Sequence, residues 1–472
     1  MPADPRAPCI IGVARHTWRQ EPAPEPLTMW EEMARMAAAD AGCPGALGDL
    51  DSLQVVYCQS WEYDDPCARL AERLGADPAL RSYSGLGGSV PVGLVSEAAA
   101  AMAGGQLDLA LIVGGEALAT RRHLPEPAWS HPPQEAQPFP ITIDRNEARN
   151  GIHQAYLTFA LLDTARRAHL GRSPADHRDE LGRLMAPMSE VAAAHPEHSW
   201  FPTAHTASDI TTVSASNRMV ATPYTKLMTA IMDVDMAAAV LVATESRADA
   251  LGVPADRRVY LHGAGGAEEP AAMAARPEPW RSPAMRQAMR SALGAASIDQ
   301  VAHLDLYSCF ASSLAFATDA LGIESERGLT VTGGLPYHGG PGSNYTTHAL
   351  AAMTEVLRAD PGSLGLLSGI GMHMTSHRAA VLSTRPAPFV PFERPEALPT
   401  VPVTREATGS ARVVTYSTVF SREGPEWTAL ICDLPDGSRS YARLEEPAEV
   451  DDLAGGTVTL TTDSRGVSRA QR

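Results

Sequence analysis

Tyr83 to Leu118 reads YSGLGGSVPVGLVSEAAAAMAGGQLDLALIVGGEAL, and this stretch decides the fold. A glycine turn leads into a helix, and the helix leads into a strand. Ser89 stands where a hydroxyl can accept from the first free N–H groups of a helix, and Pro91 has its φ already set for a first turn. Val92, Val95, Ala99 and Met102 recur at helical spacing, and Gly104-Gly105 lets the chain turn out. Leu107 to Val113 is a near-continuous apolar run, the pattern of a strand covered on both faces of a parallel sheet.

The same grammar returns at His338 to Met372, HGGPGSNYTTHALAAMTEVLRADPGSLGLLSGIGM. GG…AAAM…LALIVGG in the first unit answers GG…LAAM…LGLLSGIG in the second. Two such units predict a duplicated α/β architecture whose half-sites face one pocket.

With 472 residues the chain holds two or three domains. A net charge of −17 argues against a nucleic-acid or anionic-membrane partner. The opening MPADPRAPCII has no signal-peptide core and no apolar run is long enough to span a bilayer, so the cytoplasm is the expected compartment. Cys9, Cys43, Cys58, Cys67, Cys309 and Cys432 are scattered without a CxxC or a histidine pairing, which predicts neither disulfide nor metal site. Lys226 is the only lysine beside many arginines, the skew of a GC-rich genome.

Taken in order, the pattern predicts a strand over Cys9–Val13, a helix over Leu27–Ala41 with Met29, Met33 and Met36 in the core, a strand over Leu53–Cys58 and a helix over Asp65–Leu74. Pro125 to Pro140, with His131, reads as an irregular excursion. Helices follow at Ile152–Leu170 and Pro174–Ala194, then a long loop from His195 to Met228. Asn217, Arg218 and Lys226 on that loop would suit an anionic ligand. Strands at Val234–Thr244, Tyr260–Gly265 and Val301–Leu306 and helices at Pro283–Leu293 and Ala311–Leu321 rebuild the unit, and paired strands near Leu364–Ile370 and His377–Leu382 end it. After a proline-rich linker, alternating runs such as ARVVTYSTVF and TVTLTTD predict a small barrel-like β-domain.

Cys309 precedes a helix start, where the dipole would favour thiolate. The turn TGGLPYHGGPGSNY puts Tyr337, His338 and Tyr345 on a backbone that can approach a ligand, and His338 is the best general acid/base because imidazole titrates near neutrality.

The stretches GGSVPVGLVSEAAAAMAGGQLDLALIVGGEAL, NRMVATPYTKLM, DLYSCFASSLAFA and GGLPYHGGPGSNY resemble the thiolase superfamily over nearly all of the first 385 residues. The likeness is strongest to the type 1 thiolase-like proteins, akin to sterol-carrier-type thiolases, and the tail resembles their extra β-domain. It implies a duplicated five-layer αβαβα fold plus a C-terminal all-β barrel-like domain. It divides the chain into residues 1–250 with a loop region over about 119–232, then 251–385, a linker 386–408 and the β-domain 409–472. It also implies acyl-CoA chemistry of the acetyl-CoA acetyltransferase kind, with CoA or acyl-CoA as a ligand and no permanently bound cofactor, and makes a homodimer plausible.

The motifs depart from that pattern at each catalytic position. Gly87, Gly88 and Ser89 stand where the nucleophilic cysteine belongs, the HDCF motif has become Tyr307-Ser308-Cys309-Phe310, GHP has become Gly339-Gly340-Pro341, and the CxG segment is Ser368-Gly369-Ile370-Gly371. Three readings follow: a CoA-binding protein without thiolase turnover, with Arg218, Lys226, Tyr337 and Tyr345 as ligand contacts; a different acyl transfer or retro-aldol cleavage using Tyr307, Cys309 and His338; or a non-catalytic scaffold.

Overall fold

The computed structural model describes residues 4–124, 126–130, 144–392, 395–447 and 452–472. Most of the excursion expected at Pro125–Pro140, His131 included, lies outside them. Strands β1 (Pro8–Thr17), β2 (Ser52–Val55), β3 (Leu80–Tyr83) and β4 (Leu109–Ala117) precede a small ribbon of β5 (Met219–Ala221) and β6 (Tyr224–Thr225). Then come β7 (Asp235–Thr244), β8 (Val259–Glu268), β9 (Val301–Asp305), β10 (Leu364–Gly371) and β11 (Ser376–Ser383).

The nine longer of these strands form one sheet in the order β3-β2-β4-β7-β1-β8-β11-β10-β9. Outward from β1 the pairings run antiparallel to β7, antiparallel to β4 and parallel to β2. Outward from β8 they run antiparallel to β11, antiparallel to β10 and parallel to β9. The two halves thus repeat one topology and meet through only two residue pairs, Cys9–Tyr260 and Ile10–Val259. The sheet is mixed, not parallel as the apolar run of β4 suggested. A strand buried on both faces looks the same in sequence whichever way its neighbour runs.

Two inner helices, Val90–Ala103 and Tyr345–Ala359, are buried on most sides because they lie between the two half-sheets, in contact with strands of both. Pro26–Asp40 covers the outer face of the first half and Pro283–Leu293 that of the second, which completes five layers. The outer helices approach their strands at glycines in equivalent places. A Cβ on Gly12 of β1 would lie 2.0 Å from the carbonyl oxygen of Ala37, and one on Gly265 of β8 would lie 1.7 Å from that of Ala288. Met29 and Met33 are core, whereas Met36 is half exposed and turns away from the sheet. The expected loop over His195–Met228 contains a short helix, Ala207–Thr211, capped by Thr206, as well as the β5–β6 ribbon.

Strands β12 (Gly409–Phe420), β13 (Pro425–Asp433), β14 (Arg439–Leu444), β15 (Thr457–Thr462) and β16 (Ser468–Gln471) close a five-stranded barrel, with β14 parallel to β16 and β15 back against β12. Polar contacts fasten the barrel to the α/β body. The Tyr441 hydroxyl donates to the fully buried Glu147 carboxylate, which also accepts from the Met273 N–H at 2.7 Å. Arg167 forks onto Asp452 at 2.6 and 2.8 Å. No helix among the described residues is long and apolar enough to cross a membrane.

Gly265→Ala forces a methyl group into the backbone of the helix above it. It should lower stability by about 1–3 kcal/mol, seen as a lower urea midpoint at constant m-value. An unchanged midpoint would contradict so close a seat for Pro283–Leu293.

Candidate functional site

Four segments converge at the start of the first inner helix: the turn Gly85–Ser89, Asp305–Phe310 at the end of β9, the loop from His338 into the first turn of Tyr345–Ala359, and the end of β10. The Gly87 N–H donates to Ser343 Oγ at 3.0 Å, and Thr346 Oγ1 donates to the Gly88 carbonyl at 3.0 Å. Gly369 and Gly371 press on Ser89, where a Cβ on either would come within 2.7 Å. Ser89 does not cap its helix through its side chain. Its hydroxyl instead faces Ser376 Oγ at 3.3 Å, across the hairpin of β10 and β11.

Gly88 is met by Tyr307. A Cβ at residue 88 would lie 1.9 Å from the Tyr307 hydroxyl oxygen and 2.3 Å from Cζ, so the phenol occupies the space that any side chain there would need. Tyr307 is 6% exposed, its hydroxyl has no hydrogen-bond partner among the described residues, and burial pushes its pKa well above the usual phenol value. From Tyr307 a string of edge-to-face rings runs inward: Tyr345 at 5.6 Å, His338 at 5.9 Å from Tyr345, and His348 at 5.3 Å from His338.

Asp305 anchors that string. Its buried carboxylate accepts from the Tyr345 hydroxyl at 3.0 Å, the Thr330 and Thr332 hydroxyls at 2.9 and 3.0 Å, and the Val331 and Thr332 N–H groups. Burial still raises its pKa. Tyr345 is therefore a structural residue with its hydroxyl committed inward, and Tyr337 is buried too, its ring 6.0 Å from His205. The flexible glycine turn was expected to present both to a ligand; the turn folds them inward instead.

His338 is not poised near neutrality. Both ring nitrogens are buried without a partner among the described residues, and so are those of His348. Burial first, then the neighbouring imidazole and the Arg15 guanidinium, hold the His338 pKa well below its ordinary value. Cys309 also departs from expectation. Its sulfur turns to Ser313 Oγ at 3.3 Å, and burial overrides the helix start, pushing the thiol up to about 12. It stays protonated.

Arg218 and Lys226 lie together on the surface, joined by the Lys226 N–H to the Arg218 carbonyl at 2.9 Å. The strap after them reaches the site segment, because the Ala230 N–H donates to the Cys309 carbonyl at 2.7 Å. Sequence reasoning missed Asp305, Ser343, Thr346, Ser376 and Glu116. Glu116 is fully buried where β4 ends, beneath Gly342, and burial raises its pKa to about 7 although the Gln59 and Ser60 N–H groups bond it. Among these only Asp305, directly ahead of Leu306-Tyr307, carried a signal: an acid closing an apolar strand. No group of three metal-ligating side chains occurs among the described residues.

This convergence of four loops over paired inner helices is the arrangement of a thiolase-type α/β protein. Among solved structures, the chain is 31% identical to a monomeric SCP2-thiolase-like protein type 1 from Mycobacterium smegmatis, over 100% of both chains at a TM-score of 0.86. On that footing it belongs to the thiolase superfamily, with the SCP2-thiolase-like proteins of type 1. An Ltp2-ChsH2(DUF35) aldolase is 18% identical over 80% of this chain and 98% of its own, TM-score 0.62. The dimeric peroxisomal thiolase of Saccharomyces cerevisiae is 13% identical over 81% and 99%, TM-score 0.58. These two show the fold alone. No protein-family model and no curated protein matches the sequence.

The buried imidazoles give a pH test. His348 has an ordinary value of 6.5 and a lower one when folded. Below that ordinary value the unfolded chain takes up a proton that the folded chain refuses, so stability falls with pH by about 1.4 kcal/mol per unit for each such group. Glu116, raised from 4.5 to about 7, works the other way over the same range. His348→Phe should therefore make the loss between about pH 6 and 5 shallower by about 1.4 kcal/mol per unit in urea titrations. An unchanged slope would mean that the ring is protonated in the fold.

Proposed function

We propose that the chain is a thiolase-fold protein that binds CoA or an acyl-CoA and does not carry out thiolase turnover. The observation that carries this reading is the Tyr307 phenol seated against Gly88. Thiolysis and its reverse need an ionised nucleophile to capture an acyl group, and the turn offers backbone where that nucleophile would stand. The nearby ionisable groups are neutral ones: a phenol, an imidazole and a thiol whose pKa values burial displaces away from the charged form. For the ligand, Arg218 and Lys226 supply two exposed positive charges on the strap that bonds to Cys309, suited to the phosphates of CoA.

A second reading stands on the Tyr307 hydroxyl, which has no hydrogen-bond partner among the described residues and keeps slight exposure. As a neutral phenol it can donate to a developing oxyanion, which would serve a retro-aldol or acyl-transfer step without a cysteine nucleophile. Tyr307→Phe separates the two, since it abolishes turnover only where there is turnover.

Two measurements test the first reading. Incubation with acetyl-CoA should leave the intact mass without a covalent gain of about 42 Da, while CoA raises the melting temperature and Arg218→Gln/Lys226→Gln removes that rise. A mapped acetyl group on Cys309 would overturn the reading. The plug itself is tested by a double-mutant cycle. Gly88→Cys should destabilise on its own, and Tyr307→Ala should relieve it, with a coupling of about 1–3 kcal/mol. Additive effects would mean that the phenol does not fill that space.

A further inference from the structure

One cavity lies away from the converging loops, in the outer helix layer of the second half. A groove of about 500 Å3 runs between Pro283–Leu293 and Ala311–Leu321, with Arg281, Arg286 and Arg290 on one wall and Phe316, Asp319 and Ala320 on the other. A second cavity of about 420 Å3 shares Arg286, Arg290, Asp319 and Ala320 and extends the groove past Leu293. Both volumes fall in the range of small-molecule sites.

The charges in this groove do not cancel one another. Asp319 is already committed, since Arg166 forks onto it at 2.6 and 3.0 Å from beneath. Glu278 is committed too, bonded by Arg281 through two nitrogens. Arg286 has one long contact, 3.4 Å to the Asp319 carbonyl, and Arg290 has no polar partner among the described residues. The two guanidiniums are exposed, one helical turn apart, and repel each other on a shared face. They do so in a protein of net charge −17, so the positive patch is local and not part of a general basic surface.

We propose that this groove binds an organic diphosphate. Each guanidinium presents a planar fork that fits one phosphate, and forks one turn apart suit two linked phosphates better than a single anion. Leu293, Ala320 and Leu321, each partly exposed, form an apolar wall for the body that carries the phosphates. The positive patch is confined to one short groove on a chain of net charge −17, which selects a small molecule over a nucleic acid.

The test is calorimetric titration of the full chain with inorganic pyrophosphate, ADP and orthophosphate. Pyrophosphate and ADP should bind saturably, with ADP at least roughly threefold tighter through the apolar wall and orthophosphate about tenfold weaker than pyrophosphate. Arg286→Gln/Arg290→Gln should weaken both diphosphates by at least about tenfold with an unchanged melting temperature, since both side chains are exposed. Arg218→Gln/Lys226→Gln should leave this binding intact, which separates the groove from the proposed CoA contacts. Absence of saturable binding below about 1 mM, or binding indifferent to the Arg286/Arg290 change, overturns the proposal. Equal affinity for ADP and pyrophosphate overturns the role given to that apolar wall.

Discussion

A tyrosine hydroxyl set against a backbone with no side chain is the contact on which the candidate site depends. Tyr307 can sit where it does only because residue 88 is glycine, and the turn can lie flat on β10 only because Gly369 and Gly371 leave room for Ser89. Once the phenol is seated, Tyr345 packs edge-on against it, and Asp305 fixes Tyr345 from behind through a set of five donors. The arrangement is closed in the sense of packing: each ring is held by the next. A side chain at residue 88 and this phenol exclude each other by volume alone.

Electrostatics follow from the same closure. Transfer of a charge into such an interior is costly unless it is paired, and the groups around the string are held in their neutral forms. Tyr307 and Cys309 keep their protons, while His338 and His348 give theirs up. Acyl-transfer sites separate charge between a nucleophile and a base. Here burial works against that separation at Tyr307, Cys309, His338 and His348.

Much of the fold was legible because local grammar and global plan agree. The glycine-turn, helix and strand unit occurs twice, and helices such as Pro174–Ala194, Pro283–Leu293 and Ala311–Leu321 fall where their caps and periodicity put them. What escaped was set by partners distant in the chain. Strand direction in the sheet leaves no mark on an apolar run, and β16, whose residues are mostly polar, is a strand only because β14 and β15 flank it. The meeting of Gly88 with Tyr307 joins residues from opposite halves, which no spacing rule reports. For Cys309, the helix start was visible in sequence, but the depth of burial that outweighs it was not.

The barrel is also more than an appendage. Its first strand continues into the β5–β6 ribbon, with Val419 paired to Ala221 and the Thr222 N–H bonded to the Thr418 carbonyl, and that ribbon leads directly into Lys226. The strap carrying the only lysine therefore shares a continuous hydrogen-bonded sheet with the C-terminal domain. The seat of the strap is thereby set in part by main-chain hydrogen bonds from a domain that begins almost two hundred residues later in the chain.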